Sequence, residues 1–370
     1  MRPDDVDELH SLLCGCFPDF LRDQRRWVAG WRWQYWDNPF RAGRPAGWVW
    51  TDGGRIVGHL GAVYVPLQVN GRPTTGAIGA DYAVAQDAAA QGGIFVALEL
   101  AQAFFTGIGE CLAMATTANE KTGAIFTRFG AQPVPSTREF WRARATLGHL
   151  VRFCWGAQNH RLTRRALSGS VGRVAIPLIG ACCRALVHRP AIPIPAGCSL
   201  ETTVPQHAGD LGRLCEQAAA NSTQPGPGEA IIWRADVANA YLDWRYLQHP
   251  ERDNIRALVV RNTDGEVIGA AFVFLETNGT RSMAYVEDLV SLAGRTDVVR
   301  TLLCAALALA CDHHVDYLVT MTGRRSIRHV YWELGFENRA RSAPAAVIHA
   351  SALGPDPSNA QIEFWHGVMF

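Results

Sequence analysis

One sequence pattern recurs after about two hundred residues, and this repeat limits the folds open to the chain more than any other feature. Residues 33–39 read WQYWDNP, and residues 244–250 read WRYLQHP, an offset of 211. The same offset carries GRIVG at residues 54–58 onto GEVIG at residues 265–269. Matches that keep their order along the chain predict two structural units of the same kind in tandem.

A third match supports this organisation. FGA at residues 129–131 falls on LGF at residues 334–336, with the offset reduced to 205. The 370 residues, 48% of them hydrophobic and 19% charged, are enough for two globular domains that each bury a core. We therefore expect an N-terminal domain over residues 1–145, a helical and proline-rich linker over 146–196, and a C-terminal domain over 197–370.

Each copy shows the same order of local patterns. A helix with a polar start precedes two strands joined by a hairpin turn; a further strand, a helix, a strand and a last helix follow. The second copy begins with an additional predicted strand at residues 199–204, and either the first copy lacks this strand or another segment takes its place. Meander strands followed by alternating strands and helices indicate an α/β fold, with a mixed α+β sheet in each domain.

Residues 79–105 form the segment with the clearest binding chemistry. An apolar strand at residues 81–85 leads through a turn of small residues into a helix whose apolar positions we expect at Ile94, Leu98, Ala101 and Phe105. A strand that opens through a glycine-containing turn into a helix presents backbone N–H groups and the positive end of the helix dipole. This segment therefore predicts an anion-binding loop.

Taken together, these elements resemble the GCN5-related N-acetyltransferase (GNAT) superfamily, and specifically its tandem members in which two such domains are fused. The resemblance covers nearly the whole chain outside the linker. It implies a mixed sheet that splays open between its fourth and fifth strands. It also implies that acetyl-CoA or another acyl-CoA binds there as co-substrate, with its pantetheine arm along the fourth strand and its pyrophosphate on the loop that follows.

The resemblance assigns the cofactor contacts to the first copy. The residues implied are the strand backbone at Tyr82, Ala83, Val84 and Ala85, the loop Gln91, Gly92, Gly93, Ile94 and Phe95, the strand-end Asn119, and Phe126. Two of the family's usual groups differ here. Ala90 stands where the loop usually carries Arg or Gln, and Phe126 stands where a tyrosine often serves as general acid.

The second copy differs from the family pattern in the opposite way, because it keeps the tyrosine and lacks the loop. Tyr331 occupies the tyrosine position, but residues 291–297 (SLAGRTD) do not make a glycine-rich loop. We therefore expect the acyl donor to bind to the first copy, with Tyr331 as a candidate proton donor.

Acyl transfer to an amine needs a base, a donor for the developing oxyanion and a proton for the leaving thiolate. Asp81, beside the expected thioester, is the candidate base or amine anchor, and strand backbone can supply the oxyanion donor. Asp288 and Glu287 occupy the matching strand of the second copy as a candidate catalytic group and a candidate binder of a cationic substrate. As neighbours on a strand they should point to opposite faces, which excludes a catalytic dyad. Trp31 and Trp36, peculiar to the first copy, are candidates for the acceptor pocket.

Composition excludes several other functions. The net charge of +1 gives no field that would attract nucleic acid. Ten cysteines without a C-x-x-C pair, and histidines without paired-ligand spacing, predict no metal site. No apolar run is long enough for a transmembrane segment, and no signal-peptide pattern opens the chain, so the sequence predicts a cytoplasmic protein that is a monomer or a homodimer.

The leading interpretation is an acyltransferase of the GNAT type that acts on a small-molecule amine acceptor. Two alternatives stay open. The tandem could be a catalytically inactive ligand-binding or scaffold protein, which the changes at Ala90 and Phe126 would suit. It could also take its acyl group from an acyl carrier protein, whose phosphopantetheine arm has no adenosine.

Overall fold

The computed structural model describes residues 1–17, 23–69, 72–90, 93–115, 120–133, 139–145, 190–205, 209–222, 231–234, 238–276, 283–292, 294–322, 327–338, 347–349 and 361–362. Among the predicted site residues, Gln91, Gly92 and Asn119 lie outside these ranges, as does the linker up to residue 189.

We call the elements up to residue 145 the first half and those from residue 190 onwards the second half. The helices of the first half are α1 (Val6–Cys16), α2 (Gln24–Trp31), α3 (Gln86–Ala90), α4 (Gly93–Gly107) and α5 (Glu120–Arg128). Its strands are β1 (Gly47–Asp52), β2 (Arg55–Val69), β3 (Arg72–Val84), β4 (Leu112–Ala115), β5 (Ala131–Pro133) and β6 (Glu139–Arg144).

The second half repeats this order with its predicted opening strand in place. Its helices are α6 (Gly209–Ser222), α7 (Ala238–Leu242), α8 (Thr296–Asp312) and α9 (Arg328–Glu333). Its strands are β7 (Ser199–Thr203), β8 (Ile231–Arg234), β9 (Ile255–Arg261), β10 (Val267–Glu276), β11 (Met283–Ser291), β12 (Tyr317–Thr322), β13 (Glu337–Asn338), β14 (Val347–His349) and β15 (Gln361–Ile362). β7 pairs with the outer edge of β9. In the first half β1 takes the place of β9, and its Gly47 carbonyl accepts from the Met1 ammonium (3.3 Å).

The described strands form two mixed sheets, which confirms the predicted fold class. One has the order β15–β8–β2–β3–β4–β14–β5, with β1 also paired to β2, and the other has the order β13–β6–β12–β11–β10–β9–β7. In each sheet an antiparallel meander is followed by a parallel pair, β3 with β4 and β11 with β12. The first sheet has a further parallel pair, β15 with β8, at its edge.

The two halves exchange strands. β6 leaves the first half and lies between β12 and β13 of the second sheet. In return, β14 from the second half lies between β4 and β5 of the first sheet. The sheets therefore do not follow a boundary at residue 145, and separating the halves would break backbone pairing in both.

A glycine in each sheet allows a helix to pack closely. A Cβ atom on Gly58 of β2 would lie 2.8 Å from Val96 of α4, and one on Gly269 of β10 would lie 2.2 Å from Val298 of α8. This close approach sets which face of α4 is buried. Its buried residues are Gly93, Val96, Ala97, Leu100, Ala101 and Phe104. The predicted face was therefore wrong at Ile94, whose side chain is 59% exposed.

The two repeated Trp-x-Tyr segments meet at the interface between the halves. Each forms a π-helical turn, Arg32–Trp36 and Asp243–Leu247. Trp33 Nε1 donates to the Trp244 carbonyl (2.8 Å), Trp244 Nε1 donates to the Trp33 carbonyl (3.2 Å), and the two rings stack 4.8 Å apart. Reciprocal contacts between corresponding residues are those of an approximate two-fold axis. One apolar core cluster therefore runs through both halves.

Within the described ranges, no helix has the length and apolarity that crossing a bilayer requires. The same part of the chain contains no group of three or more His, Cys, Asp or Glu side chains suited to a metal ion.

Candidate functional site

Each sheet opens at the parallel pair that follows its antiparallel meander. β3 and β4 pair only at residues 76–78 with 112–114, and β3 then continues to Val84 without a registered partner on that side in the described part of the chain. β11 and β12 pair at residues 283–286 with 317–320, and β11 continues to Ser291. We call these openings the first gap and the second gap. Both lie at the carboxyl ends of parallel strands, where open α/β sheets bind their ligands.

A β-bulge lies beside the first gap. The register of β2 against β3 shifts so that Asp81 and Tyr82 together stand opposite Leu60. Asp81 has a φ of 52°, and among the described non-glycine residues with such left-handed backbone it is the one that lies within a strand. A side chain there is strained, and strain of this kind clusters at functional sites.

Two side chains hold the strained residue. Tyr35 donates its hydroxyl proton to Asp81 Oδ2 at 2.7 Å. The Nδ1 atom of His59 lies 2.9 Å from the Asp81 carbonyl oxygen. Tyr35 comes from the π-helical turn and His59 from β2, so the repeated segment and the sheet together shape the bulge.

Burial sets the protonation of this cluster. It raises the pKa of Asp81, and the hydrogen bond from Tyr35 offsets part of that rise. It also raises the pKa of Tyr35 well above its usual value, with the Asp81 carboxylate adding to the effect. Burial lowers the pKa of His59 to about 4. Near neutral pH the cluster thus contains a protonated phenol and a neutral imidazole, beside a carboxyl group that is more basic than usual.

Two of the four strand residues predicted to present their backbone to the acyl donor face the neighbouring strand β2 instead. The Ala85 N–H donates to the Val57 carbonyl of β2 at 2.8 Å. Because alternate residues direct their backbone groups to the same edge, Ala83 also faces β2, and the prediction was wrong for these two residues. By the same alternation Val84 turns away from β2, and its carbonyl accepts from the Cys16 thiol.

The loop after β3 is described from Gly93, which is buried at the first position of α4. Ile94 and Phe95 follow, exposed by 59% and 55%. Phe126 is fully buried against Phe104 and Gly79. It therefore packs the sheet behind the first gap, and its ring centroid lies 6.2 Å from that of Tyr82.

A cavity of about 500 Å³ flanks the same end of β3, on the side of α1. Its wall includes Cys16, whose thiol donates to the Val84 carbonyl at 3.4 Å. Arg55 and Asp87, which form an exposed ion pair, also line it. The cavity thus adjoins the strand end assigned to the pantetheine arm.

The second gap contains charged side chains instead. Arg245 Nη2 donates to Glu287 Oε2 at 2.9 Å, and both side chains are buried. Next to this pair, the Tyr246 hydroxyl donates to Asp288 Oδ2. Burial raises the pKa of Glu287 to about 7, although the Arg245 guanidinium acts in the opposite direction.

The two carboxylates do not point to opposite faces, so that prediction was wrong. Glu287 and Asp288 are reached by the consecutive residues Arg245 and Tyr246 of one π-helical turn. The register shift between β10 and β11 makes Glu287 an extra residue in its strand. Such a bulge interrupts the alternation of side chains.

The remaining predicted residues lie in packed surroundings. Trp31 is buried among Trp27, Tyr35 and Trp36. Tyr331 is buried in the core of the second half, with its hydroxyl 3.5 Å from Thr320. The structure therefore brings Asp81 together with Tyr35 and His59, not with Tyr331.

Sequence reasoning missed the partners of the carboxylates. Tyr35 and Tyr246 recur at an offset of 211 and Asp81 and Asp288 at 207, so the recurrence of both types was visible, but not their pairing. His59 left a weaker signal, as the one polar side chain within the apolar run of residues 56–63 of β2.

Comparison with known proteins places this geometry in a fold family. No protein-family model matches the sequence, and no curated protein matches it significantly. Among solved structures, the chain is similar to a tandem GNAT protein from the clavulanic acid biosynthesis pathway (TM-score 0.54, 15% identity, 93% of each chain covered). It is also similar to Saccharomyces cerevisiae N-myristoyltransferase with bound myristoyl-CoA (TM-score 0.57, 12% identity, 94% of this chain and 79% of that chain covered).

A third similar structure is a conserved protein of unknown function from Enterococcus faecalis V583, described as a probable N-acyltransferase (TM-score 0.50, 9% identity, 94% of this chain and 68% of that chain covered). At these identities the likeness concerns the fold. The splayed sheets, their repeated order and these neighbours agree: the chain has the tandem fold of the GNAT superfamily.

Proposed function

We propose that the protein is an N-acyltransferase that moves an acetyl or other acyl group from acyl-CoA to the amine of a small-molecule acceptor. The observation that carries the proposal is the first gap. It combines strand backbone that has no registered strand partner on that side within the described residues, a strained carboxylate at its edge and the start of a long helix at its end. The fold neighbours support acyl transfer as the reaction class.

The residues of the first gap fit an acyl-CoA. The Tyr82 backbone and the Val84 N–H are the groups proposed to pair with pantetheine amides, since the Val84 carbonyl already accepts from the Cys16 thiol. Gly93 begins α4, a helix of 15 residues whose dipole favours a phosphate at that end. When bound, the donor supplies an activated thioester carbonyl.

Asp81 is the proposed base or amine anchor. Its raised pKa makes it a better proton acceptor near neutral pH than an ordinary aspartate. The hydrogen bond from Tyr35 leaves Oδ2 oriented, so that the carboxylate keeps one position while it binds an ammonium group or removes its proton.

The second half is proposed to complete the acceptor side. Asp288 is its candidate catalytic group, Glu287 its candidate for binding a cationic acceptor and Tyr331 its candidate proton donor. Trp31 and Trp36 are candidate contacts from the first half. Glu287 is bound to Arg245, so this ion pair must open before Glu287 meets a substrate. We also propose that the halves arose by duplication of one unit; a cytoplasmic location and a monomeric or dimeric state stay predictions.

One observation favours a second candidate donor. Ile94 and Phe95, at the loop where the pyrophosphate would lie, expose apolar side chains. A carrier protein brings a phosphopantetheine arm without adenosine and would need less anion binding there. An acyl carrier protein is therefore the alternative source of the acyl group.

Calorimetric titration separates these functions. We expect acetyl-CoA to bind the purified protein and the Gly93→Asp change to abolish binding, because a carboxylate there repels the phosphates. Ile94→Asp, at an exposed position of the same loop, should weaken binding without disturbing the core. Thr296→Asp places the same charge at the first residue of α8 and should leave binding unchanged.

The outcomes are distinct. Binding of pantetheine as tight as that of acetyl-CoA would favour the carrier-protein donor. If neither compound binds, both enzyme interpretations fail, and the tandem is a scaffold or binds another ligand.

A further inference from the structure

His59 is a buried histidine that neither the repeat nor the GNAT resemblance assigns to a role. It lies in β2 and is fully buried. Its Nδ1 atom is 2.9 Å from the Asp81 carbonyl oxygen, which can only accept a hydrogen bond, so Nδ1 carries the proton. Because burial keeps the ring neutral near pH 7, Nε2 holds a lone pair, and it packs 3.3 Å from Met1 Sδ.

The second half shows what accompanies this histidine. At the offset of the repeat, Ala270 occupies the position of His59, while Tyr246 and Asp288 keep the Tyr–Asp hydrogen bond. Asp288 is not among the described residues with left-handed backbone, whereas Asp81 is. A tyrosine thus binds the aspartate in both halves, whereas a histidine is present at this position only in the first half, where the aspartate has left-handed backbone.

The hydrogen bond from His59 fixes more than Asp81. In a trans peptide the C=O and the following N–H point in opposite directions. With the Asp81 carbonyl directed at His59 of β2, the Tyr82 N–H is directed away from that histidine. The Tyr82 side chain is anchored separately, because its hydroxyl donates to the Ala97 carbonyl of α4.

We propose that His59 is a positioning residue, whose Nδ1–H holds the Asp81 carbonyl so that the Tyr82 N–H faces the first gap and donates to the thioester carbonyl oxygen of the acyl donor. The proposal rests on the proposed acyltransferase function. A preoriented N–H stabilises the negative charge that develops on this oxygen during attack by the amine. His59 itself touches neither donor nor acceptor.

The test compares acetyl-CoA with CoA, which differ by the acetyl group that carries the carbonyl. The native protein should bind acetyl-CoA about five- to tenfold more tightly than CoA, the size expected for one hydrogen bond. His59→Leu should bring this ratio close to one and leave the affinity for CoA within about twofold, because the rest of the ligand meets other groups. The amide resonance of Tyr82, followed by NMR, should shift with acetyl-CoA and not with CoA, and only when His59 is present.

Two conservative variants keep the test decisive if His59→Leu folds poorly. The side-chain amide nitrogen of asparagine can take the place of Nδ1, so His59→Asn should retain most of the preference for acetyl-CoA. Glutamine carries its amide one methylene further, so His59→Gln should lose the preference. Equal behaviour of these two variants would overturn the proposal.

His249 provides a matched control. It is a buried neutral histidine in the second half, with Nδ1 accepting from the Glu251 N–H at 3.0 Å. His249→Leu should lower thermal stability but leave the acetyl-CoA to CoA ratio unchanged. A ratio lost in this variant as well would show a general effect of destabilisation and contradict the role of His59.

The failure of this proposal differs from that of the proposed function. If the native protein binds both compounds and His59→Leu keeps the ratio, the function stands and the positioning role is wrong. A native protein that binds both compounds equally also excludes the Tyr82 contact. If neither compound binds, the acyltransferase function fails, and the positioning role fails with it.

Discussion

The two gaps are built from corresponding parts and differ in what occupies them. In the first, Tyr35 binds a strained Asp81 whose carbonyl is held by His59. In the second, the same Tyr–Asp pair adjoins a buried ion pair between Arg245 and Glu287. The residues at the corresponding positions of the first half are Gln34 and Ala80. One fold thus carries an open, strained site in one copy and a site filled by its own charges in the other.

Because the two halves exchange β6 and β14, neither half is expected to fold alone. We expect residues 1–145 and residues 190–370, produced separately, to lack a cooperative thermal transition, because β6 and β14 would each lose their sheet. Co-expression of residues 1–189 with residues 190–370 should restore the transition, measured by circular dichroism. A stable first half on its own would show that β14, and with it β8 and β15 of the same sheet, are dispensable.

Replacing Arg245 by glutamine, the residue at the corresponding position 34 of the first half, should strongly destabilise the protein. Arg245→Gln leaves the Glu287 carboxylate buried without its partner, which costs about 3–5 kcal/mol of unfolding free energy. The double variant Arg245→Gln/Glu287→Ala reproduces the first-half pair and should recover most of that loss. Urea unfolding measures both, and equal instability of the two variants would contradict the uncompensated charge as the cause.

Glu287, in the second gap, should also make the free energy of unfolding depend on pH. Its pKa is about 7 in the folded protein and 4.5 in the reference state, so the folded state binds more protons between these values. Unfolding free energy should therefore fall as the pH rises from about 4.5 to 7, by on the order of 3 kcal/mol. Glu287→Gln should remove this decline.

Urea unfolding at several pH values measures the difference in unfolding free energy between the native protein and the Glu287→Gln variant. His59 and His249, with lowered pKa values, contribute the opposite trend, but it is common to both proteins and cancels. Parallel curves would show that Glu287 does not titrate in this range.

The smallest expected effect concerns the corresponding glycines. Gly269→Ala and Gly58→Ala each place a methyl group against a packed helix and should cost about 1–3 kcal/mol. Gly269→Ala should cost more, because its contact with Val298 is the closer. Thermal melts rank the two, and the reverse order would mean that α8 shifts more easily than α4.

Local patterns predicted much of the fold. The opening strand at residues 199–204 is confirmed by β7, and the helix predicted after residue 298 is α8. Such elements follow from the spacing of apolar residues and from turn residues, which act over a few positions. The buried face of α4 was predicted wrongly, because Gly58, far away in sequence, decides which side approaches the sheet.

The sequence nominated residues for the candidate site but could not show which partners hold them. Asp81 was identified from its place on the strand, but the sequence could not show that Tyr35 and His59 hold it. Those contacts join residues 46 and 22 positions apart. The bulges that turn Asp81 and align Glu287 with Asp288 arise from strand register, which no local pattern reveals.

The sequence by itself determined the order of the helices and strands and the repeated pattern of the two halves. It could do so because propensity, periodicity and turn chemistry are local properties of the chain. Only the tertiary structure decided the exchange of β6 and β14, the reciprocal contact of Trp33 with Trp244 and the strained backbone of Asp81. Each of these depends on which distant groups satisfy one another's hydrogen bonds once the two halves are packed together.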